Sequence, residues 1–424
     1  MSRSRPIERI GLYGPWGYGN LGCAATVDAA IQNIRVHRPN AELVCFSLFP
    51  ADTEQRHGIR SYRLGTGGWE DEVQNPELVS MRLAGWLQSR RSSVLRLAGR
   101  LLRRVRMEAG MIPLTYRRLR QLDLLIVTGG GQLFDFLGGA LSHPWWLLKY
   151  AVLSRLAGTK LIFLSVGAGP VDARLSRVFC RIALGLSSYR SYRDEDSKQF
   201  VQARIKFRNN DPVYPDLAYS LHTKEQAPAN GNRRIVGLGV MTYNDPRHWP
   251  DNDVSVYRGY LERHTAFIGW LVERGYRVSL LVGEPWADRD TVDDLVANLE
   301  RYFDFGSNDA PVRNDSIRTV DELLEQIDQT DLVVASRFHN VLLATLRYKP
   351  VIALSYHPKM DSLMEQAGQA RYCLPIHDFD LDLLKARFQE LERDGAVIRR
   401  QFADLLTARR VALEEQYGRV LQGV

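Results

Sequence analysis

Arg337 and His339, in the run Ser336-Arg337-Phe338-His339, are the residues whose types and spacing most directly suggest chemistry. A guanidinium clamps phosphate or carboxylate through two parallel hydrogen bonds, and an imidazole titrates near neutral pH. The pair therefore suits a small anionic substrate whose reaction needs a proton. A second polar cluster, Ser355-Tyr356-His357-Pro358-Lys359, adds a lysine and two hydroxyls. The competing reading has Arg337 paired with a carboxylate and His339 capping its helix. For an isolated Arg-x-His that reading is preferable, and what argues against it here is position.

Position comes from the flanking elements. Leu332 to Ala335 is a short apolar, β-branched run of the kind that forms a buried parallel strand. The apolar spacing predicts a helix over Asn340 to Arg347, stopped by Lys349-Pro350, and a second buried strand over Val351 to Leu354. Both polar clusters thus follow strands, where an open α/β sheet binds its ligands. Ser336, Ser355 and Tyr356 would line that edge beside Arg337, His339 and Lys359.

Upstream, three glycine-rich loops follow strands. Arg9 to Tyr13 is the first strand; Gly14 to Gly22 then opens a helix from about Cys23 to Val36, with Asn20 and Gly22 at its mouth. Glycines before a helix N-terminus let backbone N–H groups approach an anion, although purely structural glycines would give the same pattern. The spacing is not the dinucleotide fingerprint, so no nicotinamide cofactor is implied. Ala41 to Leu48 is a further strand. Asp123 to Val127 precedes Gly130, Gly131 and Gln132, and Lys160 to Ser165 precedes Gly167, with Trp145 and Trp146 as core of the helix between. Ser188 to Tyr192 leads to Arg193, a second candidate anion clamp whose competing fate is an ion pair with neighbouring acids; Asp194 reads as a helix cap.

The polar stretch 221–233 reads as a linker, after which strands over Arg234 to Val240 and Arg277 to Val282 and helices over Val254 to Glu273 and Thr319 to Gln329 rebuild the same pattern. Two C-terminal helices, Leu381 to Leu391 and Ala396 to Leu421, complete the chain. The expected fold is α/β, with two Rossmann-like domains facing a cleft in a GT-B-type arrangement: residues 1–220, carrying a basic helical insertion near 86–120, and residues 234–424.

The ordered set GNLG, TGGG, SVGAGP, SYRDEDS, SRFH and KPVIALSYHPK, running from about Leu12 to Lys359, resembles the polysaccharide pyruvyl transferases. The resemblance implies transfer of a pyruvyl group from phosphoenolpyruvate to a sugar diol as a ketal, on a cell-surface polysaccharide or its lipid-linked precursor. It implies His339 as general acid and Arg337, Arg193 and Lys359 as phosphoenolpyruvate-binding cations. Asn20, Gly22, Gly130, Gly131, Gln132, Gly167, Ser336, Ser355 and Tyr356 would line the cleft. The family usually has an aspartate where this chain has Cys23, and a thiol replaces neither the charge nor the acceptor. Asp28 or another acid would have to compensate, or the acceptor site differs.

With 424 residues, 45% hydrophobic and 25% charged, the chain is long enough for two cores, and no run of 18 apolar residues occurs. A cytoplasmic location is expected, with peripheral attachment at the inner membrane face as its extension. Four widely spaced cysteines form neither a zinc pattern nor a disulfide framework; no metal and no cofactor besides the donor substrate is expected. A net charge of +7 favours anionic partners. Much of it sits in Trp86 to Arg120, rich in arginine with Glu108 its only acid, a pattern that fits either an anionic membrane surface or a helix packed on its own domain. Sparse aromatic residues there argue against nucleic acid. Two alternatives stand beside pyruvyl transfer: a nucleotide-sugar glycosyltransferase using Glu284 on a ribose, and a non-catalytic membrane-surface component of polysaccharide assembly.

Overall fold

The structure, a computed structural model, describes residues 8–65, 93–136, 138–224, 234–249, 252–303 and 310–423; the linker residues 225–233 and the 86–92 part of the basic segment lie outside these. The chain divides into two compact units. The first comprises Met1–Tyr18, Thr26–Ser220 and Ala412–Val424, and the second Gly19–Ala25 and Leu221–Val411.

The first unit is built on parallel strands β1 (Arg9–Tyr13), β2 (Glu42–Ser47), β3 (Ser61–Arg63), β4 (Leu124–Thr128), β5 (Gly131–Leu133), β6 (Lys160–Ala168) and β7 (Tyr189–Tyr192). Their order is β3-β2-β1-β4-β6-β5, with β7 also pairing β6. Every residue of β4 is buried, as expected of a central parallel strand covered by helices on both faces. Helices α1 (Leu21–His37), α2 (Pro50–His57), α3 (Ser93–Leu119), α4 (His143–Ala157), α5 (Arg174–Leu186) and α6 (Glu195–Phe200) connect the strands. Trp146, Tyr150, Phe46 and Phe163 fill the core, while Trp145 is only partly buried.

In the second unit, β8 (Ile235–Gly239), β9 (Arg277–Leu280), β10 (Val312–Arg313), β11 (Leu332–Ala335), β12 (Val351–Ser355) and β13 (Cys373–Pro375) are again all parallel, ordered β10-β9-β8-β11-β12-β13. Its helices are α7 (Val254–Glu273), α8 (Pro285–Leu299), α9 (Val320–Asp328), α10 (Phe338–Leu346), α11 (Pro358–Gln366) and α12 (Leu381–Gly423). Thr319 and Glu322 close a capping box on α9, where the sequence places the helix start.

Three expectations change. Helix α10 begins at Phe338 rather than Asn340, so Arg337 is its N-cap residue and His339 lies in its first turn. The two C-terminal helices are one helix of 43 residues, because Gly395 costs only about 1 kcal/mol in a helix interior and packing outweighs it. Finally, a division at 221–233 leaves out two stretches. Leu21 N donates to Gly283 O at 3.1 Å, so Gly19–Ala25 groups with the second unit; Gln416 bonds Ser165 and Ser191, so Ala412–Val424 groups with the first.

Candidate active site

In the second unit β8 and β11 are neighbours from which the chain winds outward in opposite directions, the switch point at which such sheets bind ligands. Ser336 leaves β11 fully buried, its N–H donating to Gly239 O at 2.9 Å. Arg337 follows and lies between two acids of α8's first turn and its flank. Its Nε and Nη2 reach Asp288 at 3.0 and 2.5 Å, and its Nη1 reaches Glu284 at 2.7 Å. Asp288, with no exposed surface, also accepts from the backbone N–H groups of Thr242 (3.2 Å) and Glu284 (3.1 Å). Burial opposes the charge on Arg337, but Asp288 and Glu284 outweigh it and hold its pKa above the ordinary value. One buried ion pair thus ties together the loops after β8, β9 and β11. The carboxylate-paired alternative for Arg337 is therefore what its geometry has. Asp288 was missed in the sequence, although Glu284 and Asp288, four apart after a strand, lie on one helical face.

His339 stands half-buried in the first turn of α10, its ring edge-on to Phe338. It closes on Gly22: a Cβ built there would lie 1.9 Å from Nδ1 and 2.5 Å from Cβ of His339. Only a glycine tolerates this approach, which gives the GNLG motif a steric reason. Asn20 caps α1, its Oδ1 accepting from Cys23 N at 2.9 Å. Asp28 does not join this group, since it pairs with His57 Nδ1 at 2.7 Å in the first unit.

At the end of β12, Ser355 Oγ donates to His357 O at 3.3 Å, and His357 caps α11 by accepting from Lys359 N at 3.2 Å. The Lys359 ammonium lies 5.4 Å from the Tyr356 ring centre and 5.6 Å from that of Phe338, with no ion pair among the described residues. A cation over two rings is favourable and still has hydrogen-bond donors to offer. Ser336, Arg337, His339, Ser355, Tyr356 and Lys359 therefore share one sheet edge of the second unit, and Asn20 and Gly22, which follow β1 in the chain, group with that unit as well.

The remaining predicted residues lie in the first unit. Gly130 takes φ +66° and its carbonyl accepts from Gly167 N at 2.7 Å, while the Gln132 amide donates to Thr128 O and Gly129 O at 2.8 and 2.9 Å, bracing the turn that carries Gly131. Gly167 leaves room for Arg193, whose Nη2 would be 2.9 Å from a Cβ there. Arg193 pairs with Asp194 at 3.1 Å and Asp216 at 3.5 Å, and Asp194 caps α6 by accepting from Ser197 N. Among the described residues no group of three or more His, Cys, Asp or Glu side chains is arranged to hold a metal ion.

No curated protein matches the sequence. Solved structures share the fold. UDP-GlcNAc 2-epimerase from Neisseria meningitidis aligns at TM-score 0.59 and 9% identity over 98% of this chain and 100% of that one. An α,α-trehalose-phosphate synthase from Burkholderia vietnamiensis aligns at 0.56 and 11% over 100% and 98%. A glycosyltransferase from Rickettsia africae aligns at 0.55 and 10% over 99% and 100%. At such identities they establish the fold class, α/β with two Rossmann-like domains of the GT-B type, and nothing finer. The family model for polysaccharide pyruvyl transferase matches residues 20–358, a span that contains every predicted site residue except Lys359, which follows it directly. This chain belongs to the polysaccharide pyruvyl transferase family.

Proposed function

We propose that the protein transfers a pyruvyl group from phosphoenolpyruvate to two hydroxyls of a sugar, forming a ketal, during synthesis of a cell-surface polysaccharide. The observation that carries this reading is His339, seated against Gly22 at the switch point of a parallel sheet in a chain of this family. His339 protonates the enol methylene, positive charge builds at the adjacent carbon, and one sugar hydroxyl adds there. The carbon–oxygen bond to phosphate breaks, and the second hydroxyl closes the ketal. Of the two hydroxyl protons, one restores His339 and the other leaves with phosphate.

Lys359 supplies charge for the donor's anionic groups without first giving up an acid. Arg337 has two carboxylate partners that the donor must share or displace, and Arg193 of the first unit is likewise paired with two carboxylates. Positioning and fixed charge lower the barrier. Glu284, which a nucleotide-sugar enzyme would place on a ribose, is engaged by Arg337, and this favours the pyruvyl reading over that alternative. The acceptor is a saccharide, free or lipid-linked, met at the cytoplasmic face of the membrane.

The test is phosphate release from phosphoenolpyruvate by purified protein with galactosides, mannosides and glucosides as acceptors. Acceptor-dependent release is expected. Release of nucleoside diphosphate from a sugar donor, with phosphoenolpyruvate inert, would replace this reading with the glycosyltransferase one.

A further inference from the structure

Helices α3, α4 and α5 pack side by side over the first unit's sheet. Glu108 of α3 accepts from Trp145 Nε1 and Lys149 Nζ of α4 (3.2 and 2.8 Å), and Trp145 meets Phe179 of α5 with ring centres 5.9 Å apart. Their inner faces supply Leu119, Trp146, Tyr150, Cys180 and Leu184 to the core. Their outer faces carry exposed apolar side chains among arginines. Leu114 on α3, Leu156 on α4, and Leu175, Val178 and Ile182 on α5 are 48%, 66%, 47%, 49% and 43% exposed. On α5 the three follow each other at helical spacing, so they form a stripe rather than scattered positions. A contiguous apolar surface of this kind marks an interaction site.

Charge selects the partner. The three helices carry seven, one and three arginines in turn, and their one acid, Glu108, is buried against Lys149. Arg174 and Arg181 flank the apolar stripe on the same exposed side of α5. Exposed apolar side chains flanked by Arg174 and Arg181, on helices that carry no exposed acid, match an anionic bilayer, which accepts the former below its headgroups and attracts the latter.

We propose that the outer face of α3, α4 and α5 is a membrane-docking surface for anionic lipid. This extends the membrane reading of the basic segment to two helices that the sequence did not single out, and it is independent of the pyruvyl reaction. In such a surface each arginine contributes about fivefold to partitioning.

The full-length protein is floated with phosphatidylcholine vesicles with and without phosphatidylglycerol. Wild type is expected to float only with the anionic vesicles. Arg174→Gln with Arg181→Gln should lower partitioning roughly 25-fold, and Val178→Asp with Ile182→Asp by more than tenfold, with melting temperature and phosphate release to a soluble acceptor unchanged. Because both arginines of the pair are exposed, that pair decides the matter should the aspartate pair unfold. Wild type that stays with the soluble fraction, or variants that float like wild type, would overturn the proposal. So would self-association of wild type that the aspartate pair abolishes while flotation persists, since the face would then bind a second copy of this chain. Failure of phosphoenolpyruvate chemistry alone leaves flotation intact, so the two readings fail separately.

Discussion

His339 and Gly22 act as one device, because the imidazole occupies the space a side chain at position 22 would need. His339→Asn should reduce turnover roughly 10²- to 10⁴-fold, as loss of a general acid does. Gly22→Ala should produce a loss of the same order without touching an ionisable group, since the histidine must move to admit the methyl. Steady-state rates of the two variants, each checked for folding, measure this; a Gly22→Ala enzyme with normal turnover would show that the seat of His339 does not matter. Lys359→Gln should instead raise KM for phosphoenolpyruvate more than it lowers kcat, because its charge serves the donor before the transition state as well as in it. The arginine, histidine and lysine were legible from residue type and from their place after strands. That Arg337 would meet Asp288 and Glu284 was not, because the acids lie about fifty positions away and only the sheet brings them together.

At the scale of elements, the Arg337–Asp288 pair is a brace. Asp288 receives N–H groups from two loops and the guanidinium from a third, so it fixes the strand ends that carry His339. Asp288→Asn leaves a buried arginine half-paired, and the expected cost is about 3–5 kcal/mol. Denaturant unfolding followed by Trp249 and Trp286 fluorescence reads it, and a loss below 1 kcal/mol would show that Glu284 suffices as partner. Most buried strands were legible to within two residues from apolar runs and glycine punctuation, but β6 runs three residues past Ser165 and takes in Gly167, which the sequence places in a loop, and β3, β5, β10 and β13, of two or three residues, carry too little sequence to display a period. Helix α10 starts earlier than its apolar spacing suggests because Phe338, buried, is part of the apolar face, and the polar residues around it hid the first turn.

Taken as a whole, each unit holds a histidine inside its core, His143 in the first and His264 in the second. Burial lowers the pKa of His143 in the first unit and of His264 in the second from 6.5 to about 4. Each is neutral in the folded state, its ring bonded to a main-chain carbonyl, Gln132 O and Tyr260 O respectively, at 2.8 Å. The unfolded chain binds a proton at each below pH 6.5 while the folded chain declines it until about pH 4. Stability is therefore full above pH 6.5 and falls as pH drops toward 4, by on the order of 3 kcal/mol per histidine. Urea midpoints across that range, compared with His143→Gln and His264→Gln, should show the dependence shrink in each variant. An unchanged pH profile in both would sink the assignment.

Helix α12 carries an implication for how the chain matures on the ribosome. The first unit's residues through Ser220 are synthesised early, yet Ser165, Ser191 and Arg38 take their partners from Gln416 and Leu421. These emerge about 190 residues later, a wait on the order of 10–40 s at ordinary elongation rates. During that interval the early-made half must exist without its closing segment. A nascent chain arrested before Ala412 should be cut by protease within Thr26–Ser220 at sites the full chain protects. The last turns of helix α12 would thus act as the late signal that completes the first unit.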